Sequence, residues 1–372
     1  NNDGYDDILL SVPTTVGSPD TGHVYLYHGG QNMDNVPDVI FSGMVLPPGD
    51  VGGAEYFGGA NAAGDMNNDG FDDIIVSSNS GGKLYLGAVN MDNNLDLLFN
   101  DFRGAGTGTG PRVSYAGDVN NDGYDDLLMT ANIANVKAFI CYGDSVVDNI
   151  PDVIIPMWRE EVGISFSASG AGDLNDDGFD DLLLGTSTYW SIETGQVRVF
   201  YGGSEMDSIA DVSIDGTEPW HVFGFTVAGD GDFDGDNYPD FLIGSIGNAA
   251  TLDKHDEAGS ISIFYGGETI SESADVVFTG VADEEAFGYS AAYAGDVNND
   301  GYPDIIVGAP SHWEGPYHYA GRAYLYYGSD SPTNEPDLIL NTTFIYNGYH
   351  AHFGKKVRSA GDINGDQYSD IY

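Results

Sequence analysis

The nonapeptide "DVNNDGYDD" at residues 118–126 returns along the whole chain. "DMNNDGFDD" starts at Asp65, "DLNDDGFDD" at Asp173, "DFDGDNYPD" at Asp232, "DVNNDGYPD" at Asp296 and "DINGDQYSD" at Asp362. The chain opens on "NNDGYDD", the same motif less its first two residues. Successive complete copies start 53, 55, 59, 64 and 66 residues apart, so one structural unit repeats from end to end.

Each unit holds the same segments in the same order, as in "FGYSAAYAGDV", the acidic loop, "DIIVGAP", "GRAYLYYGS" and "PDLILN". Each apolar segment is short, rich in β-branched and aromatic residues and bounded by Gly, Pro, Asn or Asp, which predicts four strands per unit. Glycine recurs too often, with 53 in 372 residues, for long helices. Four-stranded antiparallel units repeated six or seven times predict an all-β chain folded as a β-propeller, whose radial packing protects the sheet edges. With strands named A to D, the acidic loop joins A to B. A second tag marks strand C, as in "YLYHGG" and "IFYGGE", and an aspartate opens strand D at Asp38, Asp96, Asp152, Asp211, Asp275 and Asp337.

The blade boundaries fall at a partial blade 1–50, blades 51–107, 108–160, 161–216, 217–281 and 282–345, and a partial blade 346–372. A closed six-bladed ring would carry a redundant seventh acidic loop. The expectation is therefore a seven-bladed parent, with about six blades covered here.

Charge narrows the partners. Eleven Lys and Arg against 59 Asp and Glu leave a formal −48, which repels nucleic-acid phosphates and anionic lipid and attracts cations. The 24 Tyr and 18 Phe argue that this acidity belongs to a folded chain. Cys141 is the only cysteine and sits in the apolar run "AFICYG", as a small core hydrophobe would. No apolar stretch reaches the ~18 residues of a membrane-spanning helix.

A nine-residue loop with oxygen side chains at positions 1, 3, 5 and 9 can wrap one hard cation, and this number of ligands suits Ca2+ better than Mg2+. The backbone carbonyl of position 7 supplies a further ligand, leaving its ring to pack inward. The candidate ligands are Asp65, Asn67, Asp69, Phe71 and Asp73; Asp118, Asn120, Asp122, Tyr124 and Asp126; and Asp173, Asn175, Asp177, Phe179 and Asp181. They continue as Asp232, Asp234, Asp236, Tyr238 and Asp240; Asp296, Asn298, Asp300, Tyr302 and Asp304; and Asp362, Asn364, Asp366, Tyr368 and Asp370. The incomplete first loop offers Asn1, Asp3, Tyr5 and Asp7. An EF-hand would need a bidentate Glu at position 12, where the loop from Asp65 has Val76. Glycine at position 6 eases the sharp turn, whereas Asn237 and Gln367 replace it in two copies. Six or seven Ca2+ ions would neutralise 12 to 14 charges and leave roughly −34 to −36. Such ions brace A–B hairpins and take no part in catalysis.

On these residues the chain resembles the FG-GAP repeat family, the units of integrin α-subunit propellers. The resemblance rests on the loops, on "FG" at Phe57-Gly58, Phe223-Gly224, Phe287-Gly288 and Phe353-Gly354, and on "GAP" at Gly308-Ala309-Pro310. It implies a seven-bladed, extracellular or cell-surface propeller with Ca2+ in its A–B loops, serving adhesion or ligand binding. No "RGD" occurs, and calcium loops in nearly every repeat look more microbial than animal.

In a meander, A–B and C–D connections share one end of the blade and B–C and D–A connections the other. All four tryptophans fall in the second set, with Trp190 and Trp313 between B and C and Trp158 and Trp220 between D and A. Tyr189, Tyr317 and Tyr319 lie nearby. Exposed aromatics on loops bind proteins or stack on sugars, although the same rings can pack between blades or plug a channel. A secreted calcium-stabilised module binding protein or glycan is the leading expectation. A self-associating surface or filament protein, and a polysaccharide-active enzyme or its accessory domain, are the alternatives. Catalysis has little support: no nucleophile elbow, zinc motif or phosphate loop occurs. His350 with His352, and Asp253, His255, Asp256 and Glu257, are better read as strand alternation and a solvated loop.

Overall fold

The computed structural model describes residues 1–13, 21–44, 57–100, 111–133, 135–157, 164–188, 194–218, 221–247, 258–282, 285–313, 320–342 and 351–372. Every regular element among them is a strand. Blade 1 holds β1 (Ile8–Val12), β2 (His23–Tyr27) and β3 (Val39–Ser42). Blade 2 follows with β4 (Gly59–Gly64), β5 (Asp73–Ser78), β6 (Gly81–Tyr85) and β7 (Leu97–Phe99), and blade 3 with β8 (Arg112–Gly117), β9 (Asp126–Ile133), β10 (Asn135–Cys141) and β11 (Val153–Pro156). Blade 4 has β12 (Ile164–Gly172), β13 (Asp181–Thr188), β14 (Gln196–Phe200) and β15 (Val212–Asp215). Blade 5 has β16 (Phe223–Gly231), β17 (Asp240–Ser245), β18 (Ser260–Phe264) and β19 (Val276–Thr279). Blade 6 has β20 (Ser290–Gly295), β21 (Asp304–Ala309), β22 (Arg322–Tyr326) and β23 (Leu338–Asn341), and β24 (Ser359–Gly361) pairs β25 (Asp370–Ile371) in a further hairpin.

Strands in each sheet are hydrogen-bonded in sequence order and antiparallel, as a meander requires. The chain is thus an all-β propeller with six blades, five of four strands and the first of three, and the final hairpin starts another sheet. Two compact units result, one comprising Asn1–Glu160, Gly202–Ile209 and Asp362–Asp366, the other Glu161–Tyr201, Ala210–Gly361 and Gln367–Tyr372.

Blades stack face to face, and their apolar faces form the cores. In the first unit Val24, Leu26 and Phe41 of blade 1 meet Phe57, Ile74 and Val76 of blade 2. Ile75, Leu84 and Phe99 of blade 2 meet Val113, Met129 and Phe139 of blade 3, with Cys141 buried among them. In the second unit Ile261, Ile263 and Phe278 of blade 5 pack on Val307, Tyr324 and Tyr326 of blade 6, where Phe278 stacks on Tyr326 at 4.2 Å. The B strands β17 and β21 lie between two neighbours and two stacked sheets, which explains their apolar centres, residues 241–243 and 305–307, and their complete burial.

The FG and GAP segments prove to be two sides of one contact. The Phe of FG is buried at Phe57, Phe223 and Phe287, whereas Phe353 is 38% exposed. The carbonyl of Gly354, at φ +77°, lies where a Cβ on Gly308 would sit, so "GAP" needs its glycine because the following "FG" backbone rests on it. The same approach joins Gly288 to Gly244 and Gly224 to Gly185.

Candidate metal centres in the acidic loops

The residue before each loop sets its direction. In β4, β8, β20 and β24 the pairing register shifts one residue before a glycine at positive φ (Gly64, Gly117, Gly295 and Gly361), the mark of a bulge that re-aims the next side chain. The side chain so aimed is the first aspartate. Its signal was present in the recurring "AGD" of residues 63–65, 116–118, 171–173, 294–296 and 360–362. In blade 5 the shift spans Ala228 to Gly231, and Gly231 pairs Asp240 as Gly64 pairs Asp73, so Asp232 occupies position 1.

From there the loop winds around its own carboxylates. Asp65 accepts the amides of Asp69 (2.9 Å) and Gly70 (2.7 Å), while Asp69 accepts that of Phe71 (3.1 Å). The pattern recurs around Asp118, Asp173 and Asp296. Two residues per loop take positive φ. Position 4 does so at Asn68 (52°), Asn121 (53°), Asp176 (58°) and Asn299 (59°), in addition to glycine at position 6. Where position 6 is Asn237 (75°) or Gln367 (73°), position 4 is glycine, Gly235 or Gly365. Position 4 was missed as a constrained site, although its Asn, Asp or Gly identity signals it.

Position 9 is buried in every complete blade: Asp73, Asp126, Asp181, Asp240 and Asp304 have no exposed surface. Asp126 accepts the amides of Val119 (2.9 Å) and Gly143 (2.8 Å), tying the acidic loop to the end of strand C. Asp73, Asp240 and Asp304 repeat both bonds. The strand-D aspartates are bracing groups as well. Asp38, Asp96, Asp152, Asp211, Asp275 and Asp337 each accept a backbone amide from strand C's end at 2.8 or 2.9 Å. These six aspartates, outside the expected ligand sets, are therefore hydrogen-bonded scaffolding.

Burial pushes the carboxyl of Asp126 up to about 8, those of Asp73 and Asp240 up to about 7 and that of Asp304 up to about 6, against the downward pull of their backbone amides. Unfolded aspartate titrates near ~3.9. Between those values the cation-free folded chain keeps protons that the unfolded chain has lost, so its stability falls as pH rises from about 4 to about 8. Metal-stripped protein should therefore melt at a lower temperature at about pH 8 than at about pH 5. Excess Ca2+ should cancel or invert the trend, because cations bind the ionised carboxylates. Thermal scans across that range check both; a melting temperature rising with pH without metal contradicts the account.

Position 8, outside the expected cage, joins neighbouring blades. Asp125 accepts the amide of Asp65 at 2.7 Å and the Tyr115 hydroxyl at 3.2 Å, and its own amide donates to the Asp65 carbonyl at 3.3 Å. Asp6 makes the same reciprocal pair with Asp362, at 2.7 and 3.5 Å. The loop from Asp362 thus stands beside the first loop as one blade's loop stands beside the next, and does not complete blade 1. Position 4 adds a second link, the side-chain Nδ2 of Asn68 donating to the Gly123 carbonyl and that of Asn2 to the Gly70 carbonyl, both at 2.9 Å. An Asp125→Ala variant should lose about 1–3 kcal/mol, the usual worth of a charged hydrogen bond to a backbone donor, and urea unfolding measures it.

The rings at position 7 do not pack inward. Phe71, Tyr124, Phe179, Tyr238, Tyr302 and Tyr5 are half-buried and Tyr368 is 45% exposed. Tyr302 lies over Gly235 and Tyr5 over Gly365, each covering the preceding blade's loop.

Carboxylates converge most closely in blade 5, where oxygens of Asp232, Asp234 and Asp240 lie within 4.8 Å of one another. In the loops with asparagine at position 3, that amide instead donates to the position-5 carboxylate, at 3.0 Å for Asn67–Asp69, Asn120–Asp122 and Asn175–Asp177 and 2.8 Å for Asn298–Asp300. Three carboxylates, one buried, around a turn of inward-facing amides form a donor set that a hard divalent cation fits. In the last loop Asp362 accepts the amides of Gly365 and Asp366 at 2.7 and 3.0 Å.

Of the residues expected to form a ligand face, Trp158, Tyr189, Trp190, Trp220, Tyr317 and Tyr319 lie outside the described residues, as do His350, Asp253, His255, Asp256 and Glu257. Trp313 is described and is 51% exposed. The residue before it is anchored: His312 Nδ1 meets the buried Glu285 carboxylate at 2.8 Å, and that carboxylate also accepts the Tyr324 hydroxyl at 2.7 Å and the Val281 amide at 2.7 Å. His352 Nδ1 contacts the Pro310 carbonyl at 3.2 Å.

The FG-GAP repeat model matches residues 57–98 and 287–326, and the FG-GAP-like repeat model matches residues 1–76. Integrin alpha-5 of Xenopus laevis is 30% identical over 53% of this chain, integrin alpha pat-2 of Caenorhabditis elegans 27% over 60%, and integrin alpha-8 of Homo sapiens 27% over 52%. Each match spans 20% of the relative's length. Among solved structures, the BP39L lectin of Burkholderia pseudomallei aligns with a TM-score of 0.52 at 12% identity, covering 99% of this chain and 91% of that one, a likeness of fold. The chain thus carries FG-GAP repeats over the matched residues and is similar to integrin α subunits over about half of its length.

Proposed function

We infer that the chain is a secreted, calcium-stabilised ligand-binding module that recognises a protein or glycan outside the cell. The carrying observation is the division of labour within the blades. One end is spent on acidic loops that brace hairpins and latch neighbouring blades, which leaves the B–C and D–A loops for recognition. Trp313 supports this, because a half-exposed indole beside a residue held by a buried Glu–His–Tyr network is a rigid aromatic surface rather than a free loop. Recognition modules named integrin and lectin share the fold, in keeping with a binding role.

The test is capture of extracellular-matrix proteins and a glycan array by wild type and Trp313→Ala. Truncating a central aromatic anchor should weaken binding by tenfold or more, about 1.4 kcal/mol at least, with no change in melting temperature. Unaltered binding would remove that end of the blades from consideration.

A further inference from the structure

Strand C carries one residue that sets blade 5 apart. The residue opposite the third position after the buried aspartate is Tyr25 in blade 1, Lys83 in blade 2, Phe139 in blade 3, Arg198 in blade 4 and Tyr324 in blade 6. In blade 5 it is Ser262, opposite Ile243. In blades 2 and 6 the large side chain covers the ring of the FG phenylalanine: Lys83 Nζ sits 5.2 Å from the Phe57 centroid, and the Tyr324 ring 5.4 Å from that of Phe287. A serine is too short to cover Phe223.

A groove of about 680 Å³ occupies the space, with Phe223 in its lining. One wall is a patch of hydroxyls. Ser245, Ser260 and Thr279 pair in a single row across β17, β18 and β19, and Ser262, two residues along β18, faces the same way. The other wall brings Asp215, Glu218 and His221, and among the described residues no lysine or arginine lines the groove.

We propose that this groove between blades 4 and 5 is a saccharide site. Its volume is that of a small-ligand pocket. Serine and threonine hydroxyls both donate and accept, and carboxylates accept, so together they match a polyol's hydroxyls. Val277, 46% exposed, and the rim of Phe223, 9% exposed, supply an apolar surface for the C–H groups of a pyranose. The acidic lining disfavours phosphate or sulfate ligands. The site is separate from the Trp313 loop and does not depend on it.

Neutral mono- to trisaccharides should be screened against the full chain in Ca2+ by saturation-transfer NMR, with affinities from calorimetry. At least one should bind. Ser262→Tyr, which installs the residue found in blades 1 and 6, should weaken it at least about tenfold, whereas Leu338→Ala, an exposed change in blade 6 outside the groove, should leave it unchanged. Thr279→Val and Ser245→Ala, which remove hydroxyls without filling the groove, should each weaken it severalfold, and they decide the matter should Ser262→Tyr fold poorly. Failure of every saccharide to bind overturns the proposal, as does affinity indifferent to these variants, or binding of simple alkylamines in place of sugars. Saccharide binding lost in Trp313→Ala but kept in Ser262→Tyr would overturn this site while leaving the proposed function standing.

Discussion

Stripping divalent cations from the protein should lower its melting temperature by roughly 20 °C or more. A cation at about one hundred times its dissociation constant stabilises the folded state by about 2.7 kcal/mol per site. Six or seven independent loops make the sum large against the 5–15 kcal/mol that typically holds a domain together, and about 1 kcal/mol moves the transition of a mid-sized domain by about 2–4 °C. Without the ion, Asp232, Asp234 and Asp240 face one another across less than 4.8 Å with nothing to neutralise them. Calorimetry of chelated and Ca2+-saturated protein, with metal content by mass spectrometry, checks this. An unchanged transition, or a protein that retains no metal, would remove calcium from the account.

Asp126→Ala should cost about 2–5 kcal/mol even in metal-free buffer. The carboxylate is fully buried and accepts two backbone amides, those of Val119 and Gly143, and its loss leaves both donors without a partner, at about 1–3 kcal/mol each. Asp126→Asn, which keeps one acceptor, should cost about half as much. Asp122→Ala, at the exposed position 5 of the same loop, should do the reverse, changing the metal-free protein little while reducing the gain from Ca2+. Urea unfolding of the three variants with and without Ca2+ separates brace from ligand. Equal losses at positions 5 and 9 in metal-free buffer would refute the distinction.

These two expectations mark how far the sequence could be read. Strand number, order and the run of acidic loops were legible because each is a local pattern: period-2 apolar segments, turn residues at fixed offsets, and oxygen side chains on alternate positions. The register of the blade 5 loop was also legible, since Asp240 and Pro239 align with Asp304 and Pro303. The second constrained turn position and the "AGD" bulge were visible as letters but not as geometry. Their cause is a backbone conformation, positive φ, which Asn, Asp and Gly all adopt in many other contexts.

The roles of identical residue types were not legible. Asp118, Asp125, Asp126 and Asp152 look alike in the sequence, yet one anchors the turn, one latches the preceding blade, one is buried across two strands and one closes the C–D connection. Likewise Ser262 reads as an ordinary strand residue until the register sets it against Tyr324, Lys83 and Phe139. What the sequence by itself determined is the repeating antiparallel blade and the cation-seeking loop at one of its ends, because hydrophobic alternation and ligand spacing act within a few residues. Only the tertiary structure decided which aspartates face solvent, which bind backbone amides, and where a short side chain leaves a groove, because those outcomes depend on what the neighbouring blade places opposite each residue.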